Sequence, residues 1–420
     1  MRPTRRNLLR AFPALLGAGM LLPSGLRADS SGERKFLFVF CPGGWDPAWA
    51  LAPVFGSVAA MPDGATLGSA NGIDFVNDPQ SPAVGSFFAD WGQQTCMLHG
   101  IESRSVAHDV CLRLILTGSN LPGADDWPLK LAALSGESRV MPYVNLSGPT
   151  YAGSSVSSLV RVGENGQLAA LLDGTAITSS DLPVALPNPD RAALVDALLA
   201  TRLDRLAAEA GSGRAADIAA AAGLAESRRA ELAGIAAELD LAGGVSLRER
   251  AGVGIECLRR GLSRVAMVEY YGLRGLTWDT HGSQVNQSGN FQELFSELSL
   301  ILADLAATPG SEGGSLAEEV TVVVMSEMGR YPLLNSRAGK EHWTYTSALL
   351  IGAGVRGGQS IGGYDPDSYL GKSVNLADGG DGDVALNPNH LGATLLALGG
   401  HDAAALLPDA DPISAAIEEA

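Results

Sequence analysis

Asp279 and His281 lie two residues apart in the stretch Thr277–Gly282. In extended or loop backbone, residues i and i+2 point the same way. A carboxylate oxygen and an imidazole nitrogen placed like this could bind one ion together, since both are ordinary ligands for zinc or manganese. Matching groups recur at Glu327 in Ser326-Glu327-Met328-Gly329-Arg330, at His342 in Gly339-Lys340-Glu341-His342, and at Asp46 near the start of the chain. The run Gly272–Leu276 reads as a strand leading into the Asp–His pair, and the polar segment Gly282–Asn290 follows it.

Positioning these groups requires a scaffold that brings distant segments to one place. Lys35–Cys41 is a continuous apolar run of strand length, the pattern of a central strand covered on both faces. The turn Pro42-Gly43-Gly44-Trp45-Asp46-Pro47 follows at once. Val320–Met325 is a second such run, and Glu327 sits at its end as Asp46 does at the end of the first. In open α/β sheets ligands bind beyond the carboxyl ends of the strands. Two uncompensated carboxylates there would repel each other unless a cation lay between them, which favours a metal. The competing reading of Asp46 is a plain helix cap.

A further strand is predicted at Thr95–Leu98, then the turn His99–His108, then a helix Asp109–Thr117 closed by Gly118. Ser103 or Ser105 could cap that helix, whose free N–H groups could face an anion. Ser105 is thus a candidate nucleophile and His108 a candidate acid–base group. Equally, Ser105 could be a simple cap and His108 a solvated helix residue.

The remaining segments read as scaffold. Trp127–Leu134 has the pattern of a short helix and Val140–Leu146 of a strand, while Thr150–Pro189 is Ser/Gly/Pro-rich and irregular. An Ala/Leu-rich stretch, about 189–245, predicts an insertion of two or three helices. Ser246–Tyr271 carries apolar residues at helical spacing and predicts one long helix; Gln292–Ala306 predicts another. Ser347–Ile351 reads as the last strand and Asn387–Leu398 as a helix, with His390 and His401 as surface residues.

The chain has 420 residues, 46% of them hydrophobic, and a formal net charge of -17. That balance argues against a nucleic-acid surface, which needs basic patches. Residues 1–28 read as a targeting segment: paired arginines at Arg5 and Arg6, an apolar run Ala11–Leu22, and Ala28 at a cleavable end. The run is too short and too broken by Pro13 to span a membrane, and nothing later in the chain is apolar enough to do so. The segment looks like a twin-arginine signal, which sends folded proteins to the periplasm or beyond. The four cysteines show no paired spacing and are expected to be buried thiols.

Taken together, the signal, Gly43–Asp46, His108 with Thr117-Gly118, Trp278-Asp279-Thr280-His281, Ser326–Arg330, Gly339–His342 and Gly357-Gly358 resemble the exported bacterial family called domain of unknown function 1501. That family is similar to the alkaline phosphatase and sulfatase superfamily. The resemblance covers most of the chain after the signal, is weakest over the helical insertion, and implies one domain over residues 29–420. It implies an α/β fold, with a mostly parallel central sheet and helices on both faces. It also implies a pocket holding two divalent metals and a Ser or Thr nucleophile. Carried over, Asp46, Asp279, His281, Glu327 and His342 are the metal ligands and Arg330 binds an oxyanion. The implied activity is hydrolysis of a phosphate or sulfate ester, small or linked to a polymer. The family has a serine directly before the residue matching His108; here that residue is Ala107, so Ser105 or a water would have to serve. No Cys-x-Pro-x-Arg is present, which argues against the formylglycine type of sulfatase. The alternative is a non-catalytic exported binding or assembly protein that keeps the metal cage.

Overall fold

Lys35–Phe40 forms β1, whose six residues are all buried. Its alternating side chains enter two separate cores: Leu37 and Val39 one, Phe36, Phe38 and Phe40 the other. A strand covered on both faces has to be apolar at every position, which is why this run shows no polar alternation. The computed structural model describes residues 33–418 apart from 56–58, 164–166, 169–174, 178–182, 186–188, 242, 274–275 and 312. The segment 1–28, and with it the paired arginines, lies outside the described residues.

Seven more strands join β1 in the main sheet: β2 Thr95–Glu102, β3 Tyr143–Asn145, β4 Leu159–Arg161, β5 Val265–Glu269, β6 Val320–Met325, β7 Tyr345–Gly352 and β8 Gln359–Ile361. Their order is β8-β2-β7-β6-β1-β5-β3-β4. Strand β1 pairs in parallel with both β6 and β5, with Lys35 opposite Val320 and Phe36 opposite Val265. Only β7 runs against the others, pairing antiparallel with β6 and β2. The expected α/β sheet, mostly parallel, is therefore present.

The longer helices are α1 Pro82–Trp91, α2 His108–Thr117, α3 Trp127–Ala133, α4 Pro189–Glu209, α5 Arg214–Ile235, α6 Leu247–Arg259, α7 Asn286–Ala307 and α8 Pro388–Leu398. Phe87 of α1, Ile255 of α6 and Phe291 of α7 pack in the core with Leu37 and Val39. Ile115 of α2, Trp127 of α3 and Leu391 of α8 pack in the other. Each such side chain, fully buried, contributes about 1.5–3 kcal/mol. Helix α2 ends at Gly118, whose φ of 71° is left-handed and suits glycine. The insertion consists of the two helices α4 and α5, tied by Arg229 to Asp196 at 3.1 Å.

This topology sets the site. Strands β1, β5 and β6 end together, so the segments after Phe40, Glu269 and Met325 emerge at one rim. Strand β2 ends there too, with Glu102 beside Tyr345, and leads to His108. The reversed strand β7 begins at that rim, so His342 precedes it there.

Several expectations need correction. Ser246–Tyr271 is not one helix: α6 ends at Arg259, Gly261 turns with φ of 69°, and Val265–Glu269 is the buried strand β5. The described residues of Gly272–Leu276 form no strand; the Asp–His pair follows β5 through a loop. Strand β8 follows β7, so Ser347–Ile351 is not the last. His390 is buried, and its Nδ1 accepts from the Asn387 backbone N–H at 3.2 Å in a capping box. His401 Nε2 lies 2.9 Å from Arg264 Nη1. The four cysteines are free and buried, as expected. Among the described residues no helix is long and apolar enough to cross a membrane.

Candidate metal centre

The Asp279 loop is pinned before its carboxylate is offered. Trp278 is fully buried, donates from its indole to Tyr270 O at 3.0 Å, and packs edge-on to Trp45 and Phe291. Gln287 of α7 donates to Trp278 O at 2.9 Å and accepts from Asp46 N–H at 3.0 Å, joining this loop to the turn after β1. The two loops touch closely at Gly43. Its φ is 113°, and a Cβ there would stand 2.9 Å from Asp279 N.

Three imidazoles surround the Asp279 carboxylate. His108, His281 and His342 place their Nε2 atoms 3.7, 3.2 and 3.6 Å from Asp279 Oδ1. The Nε2 atoms of His281 and His342 are 2.8 Å apart. Each Nδ1 is held by a separate acceptor: His108 by Glu327 Oε1 at 2.7 Å, His281 by Glu341 Oε2 at 2.9 Å, and His342 by the Val106 carbonyl at 2.6 Å. A carbonyl can only accept, and an ionised carboxylate likewise, so each Nδ1 carries the proton. In a neutral ring the Nε2 is then the atom with the free lone pair. His108 Nε2 is buried and has no hydrogen-bond partner.

Lone pairs on neutral rings this close to a carboxylate oxygen, and in His281 and His342 to each other, repel unless a positive charge stands among them. The electrostatics of the site agree. Asp279, and after it Glu327, push the His108 pKa up to about 9. His108, with Arg330, holds the Asp279 carboxyl well below the usual carboxylate range. In the absence of a cation, a proton on His108 meets the same demand. His108, Asp279 and His342 each offer a ligand atom within 4.8 Å of one another. Imidazole nitrogens oriented by carboxylate or carbonyl acceptors behind them, together with one carboxylate, suit zinc or manganese. The side chains remain 22–43% exposed, so the centre is open on one side.

The expected residues divide. Asp279, His281 and His342 come together, and His108, expected as an acid–base group, lies beside Asp279 as well; the ligand atoms all within 4.8 Å of one another are those of His108, Asp279 and His342. Glu327 does not face the centre. Its side chain is 1% exposed; Oε1 accepts from Gly43 N–H and His108 Nδ1, and Oε2 accepts from Ser326 Oγ at 3.0 Å. Asp46 does not face it either. It caps the short helix Pro47–Ala50 and is fully buried against Lys340 Nζ at 2.6 Å. Each of these two carboxylates has its own partner, Lys340 Nζ at Asp46 and His108 Nδ1 at Glu327. Arg330 is fully buried and donates to Gly44 O, Lys340 O, Gly43 O and Asp279 Oδ1. It therefore fixes the Asp279 loop rather than facing an incoming oxyanion. Ser105 Oγ accepts from Ala107 N–H at 3.2 Å, a local turn, and makes no hydrogen bond to the donor set. Helix α2 has no side-chain cap at all.

Sequence reasoning missed Glu341, Lys340 and the Val106 carbonyl. The first two stood in the quoted Gly339–His342 motif; the third is a backbone group with no residue signature.

Residues 88–409 match the family described as protein of unknown function (DUF1501), and the chain belongs to that family. No curated protein matches it. Among solved structures it is similar to an alkaline phosphatase superfamily protein from Vibrio parahaemolyticus, at 12% identity and a TM-score of 0.38, over 88% of this chain and 67% of that one. It is also similar to the integral membrane lipooligosaccharide phosphoethanolamine transferase A from Neisseria meningitidis, at 10% identity and 0.39, over 88% of this chain and 55% of that one. A sulfatase from Pseudoalteromonas sp. follows at 11% identity and 0.33, over 92% and 74%.

Proposed function

We propose that the chain is an exported, metal-dependent hydrolase of phosphate or sulfate esters. The observation that carries this reading is the convergence of three imidazole Nε2 atoms on Asp279 Oδ1, each ring fixed from behind at Nδ1. His108, Asp279, His281 and His342 would hold one divalent cation, zinc or manganese. Such an ion supplies Lewis acidity toward an anionic ester oxygen and lowers the pKa of a water it binds.

The chain's own residues do the positioning. Glu327, Glu341 and the Val106 carbonyl fix the tautomers and ring orientations. Arg330 holds the Asp279 carboxylate and the Gly43–Gly44 turn in one cluster. Among the described residues no serine or threonine hydroxyl is hydrogen-bonded to the Asp279 carboxylate or to the three imidazoles. Water is therefore the nucleophile in this reading, in keeping with Ala107 where the family has serine. The substrate is a small anionic ester, or one linked to a polymer at the open side. Release of an aryl alcohol from an aryl phosphate and an aryl sulfate, by the zinc- or manganese-loaded chain, tests the reading. His281→Ala and His342→Ala should abolish it, and equal rates for all three proteins would refute it.

The absent hydroxyl favours one second reading: an exported binding or assembly protein that holds the ion without turnover. Metal retained with no turnover on either ester would select it. Export is tested separately, since replacing Arg5 and Arg6 with lysine should leave the protein in the cytoplasmic fraction.

A further inference from the structure

The resemblance implies two divalent ions, yet the side chains at this rim provide for one. We infer that the chain binds a single divalent cation, because the Lys340 ammonium takes the place of a second one at Asp46. This inference rests on the metal reading above and deepens it.

Asp46 sits just past the end of β1, where a second ion would find its carboxylate. It is fully buried, and so is Lys340. A buried carboxylate needs a counter-charge and hydrogen bonds to remain in place. Asp46 has a full set. Lys340 Nζ donates to its Oδ2 at 2.6 Å, Gln284 Nε2 donates to the same oxygen at 2.8 Å, and Ala48 N–H donates to Oδ1 at 3.0 Å. The ammonium is held in turn by the Ala60 carbonyl at 2.8 Å and lies 5.1 Å from the centre of the Trp49 ring. A divalent ion on Asp46 would meet that ammonium at contact distance, and like charges so close in a buried site repel strongly.

Glu327 closes the other route. Gly43 N–H, His108 Nδ1 and Ser326 Oγ occupy both of its oxygens, and its side chain is 1% exposed. Of the carboxylates assigned to ions by the resemblance, only Asp279 stays open to solvent, at 43%. The same lysine has a second effect. Its backbone carbonyl accepts from Arg330 Nη1 at 3.2 Å, so one residue both neutralises Asp46 and anchors the strap that carries Glu341 and His342.

Metal counting decides the point without any substrate. The full chain is stripped with a chelator, equilibrated with zinc or manganese chloride, freed of excess ion, and analysed by mass spectrometry of the metal. One equivalent per chain is expected. Two equivalents would overturn this inference and leave the metal reading standing; none would overturn both. Asp46→Asn should keep its one equivalent and His342→Ala should lose it. A folded Asp46→Asn chain without metal would sink the assignment. Lys340→Met strips Asp46 of its counter-charge and should raise the count to two. If it folds and stays at one, Lys340 is not what excludes the second ion. If it does not fold, the count on the unaltered chain still decides.

Discussion

His281 and His342 face each other through their Nε2 atoms at 2.8 Å, while Glu341 and the Val106 carbonyl hold the Nδ1 protons on the far sides. Two lone pairs at that distance are unfavourable alone and favourable around a cation. Thermal unfolding should therefore respond to metal. Zinc at about a hundred times its dissociation constant adds about 2.7 kcal/mol to the stability of a site that exists only in the folded chain. Calorimetry should show a higher Tm with zinc than with chelator, and His342→Ala should erase the difference. An unchanged Tm in the unaltered chain would count against the centre.

Glu341 touches the centre only through His281, and it is more than half exposed. Its replacement by alanine should leave the fold intact and weaken zinc binding by about 10- to 100-fold, the usual effect of losing a carboxylate behind a histidine ligand. Titration with a competing chelator measures this. Glu341→Gln should recover part of the loss, since an amide oxygen can still accept from Nδ1.

Gly339 lies against the loop that carries His281. A Cβ there would fall 2.3 Å from the His281 carbonyl carbon, which is backbone and has nowhere to turn. Gly339→Ala should cost about 1–3 kcal/mol of stability. It should also part His281 from His342 and weaken metal binding. Denaturant unfolding and metal counting on one preparation test both effects; a neutral result in each would contradict the close packing described.

His99, on β2, is buried beside Ser347 Oγ at 2.9 Å and packs edge-on to Tyr364. Burial pulls its pKa down to about 4. The folded chain keeps this ring neutral while the unfolded chain protonates near 6.5. Stability from this group is complete above pH 6.5 and falls as pH drops from 6.5 toward 4, by about 3 kcal/mol in total. Urea unfolding at pH 7 and pH 4.5 should show a smaller drop for His99→Gln than for the unaltered chain. Equal drops would mean that another group titrates.

The strands were legible where a local pattern decides them. Lys35–Phe40 and Val320–Met325 are apolar at every position because both faces are covered, and that pattern is visible in the chain. Val265–Glu269 misled because it follows a true amphipathic helix and its apolar residues extend the same spacing by chance. Only the turn at Gly261 separates the two. Within the site, the donor types of Asp279, His281 and His342 could be read from their motifs. For Asp46 the helix-cap reading was legible and holds, but its pairing with Lys340, 294 positions away, is made by the fold. Glu327 likewise read as a ligand because its role depends on His108, 219 positions distant.

The carbonyl that orients His342 belongs to Val106, 236 positions earlier. Synthesis delivers His108 early, Asp279 and His281 well afterwards, and His342 last. The complete group needs residues 106 to 342 in one folded molecule, so on the metal reading an ion would be held firmly only once the sheet has closed from β2 to β7. On that reading, loading would report completed assembly of this part of the sheet.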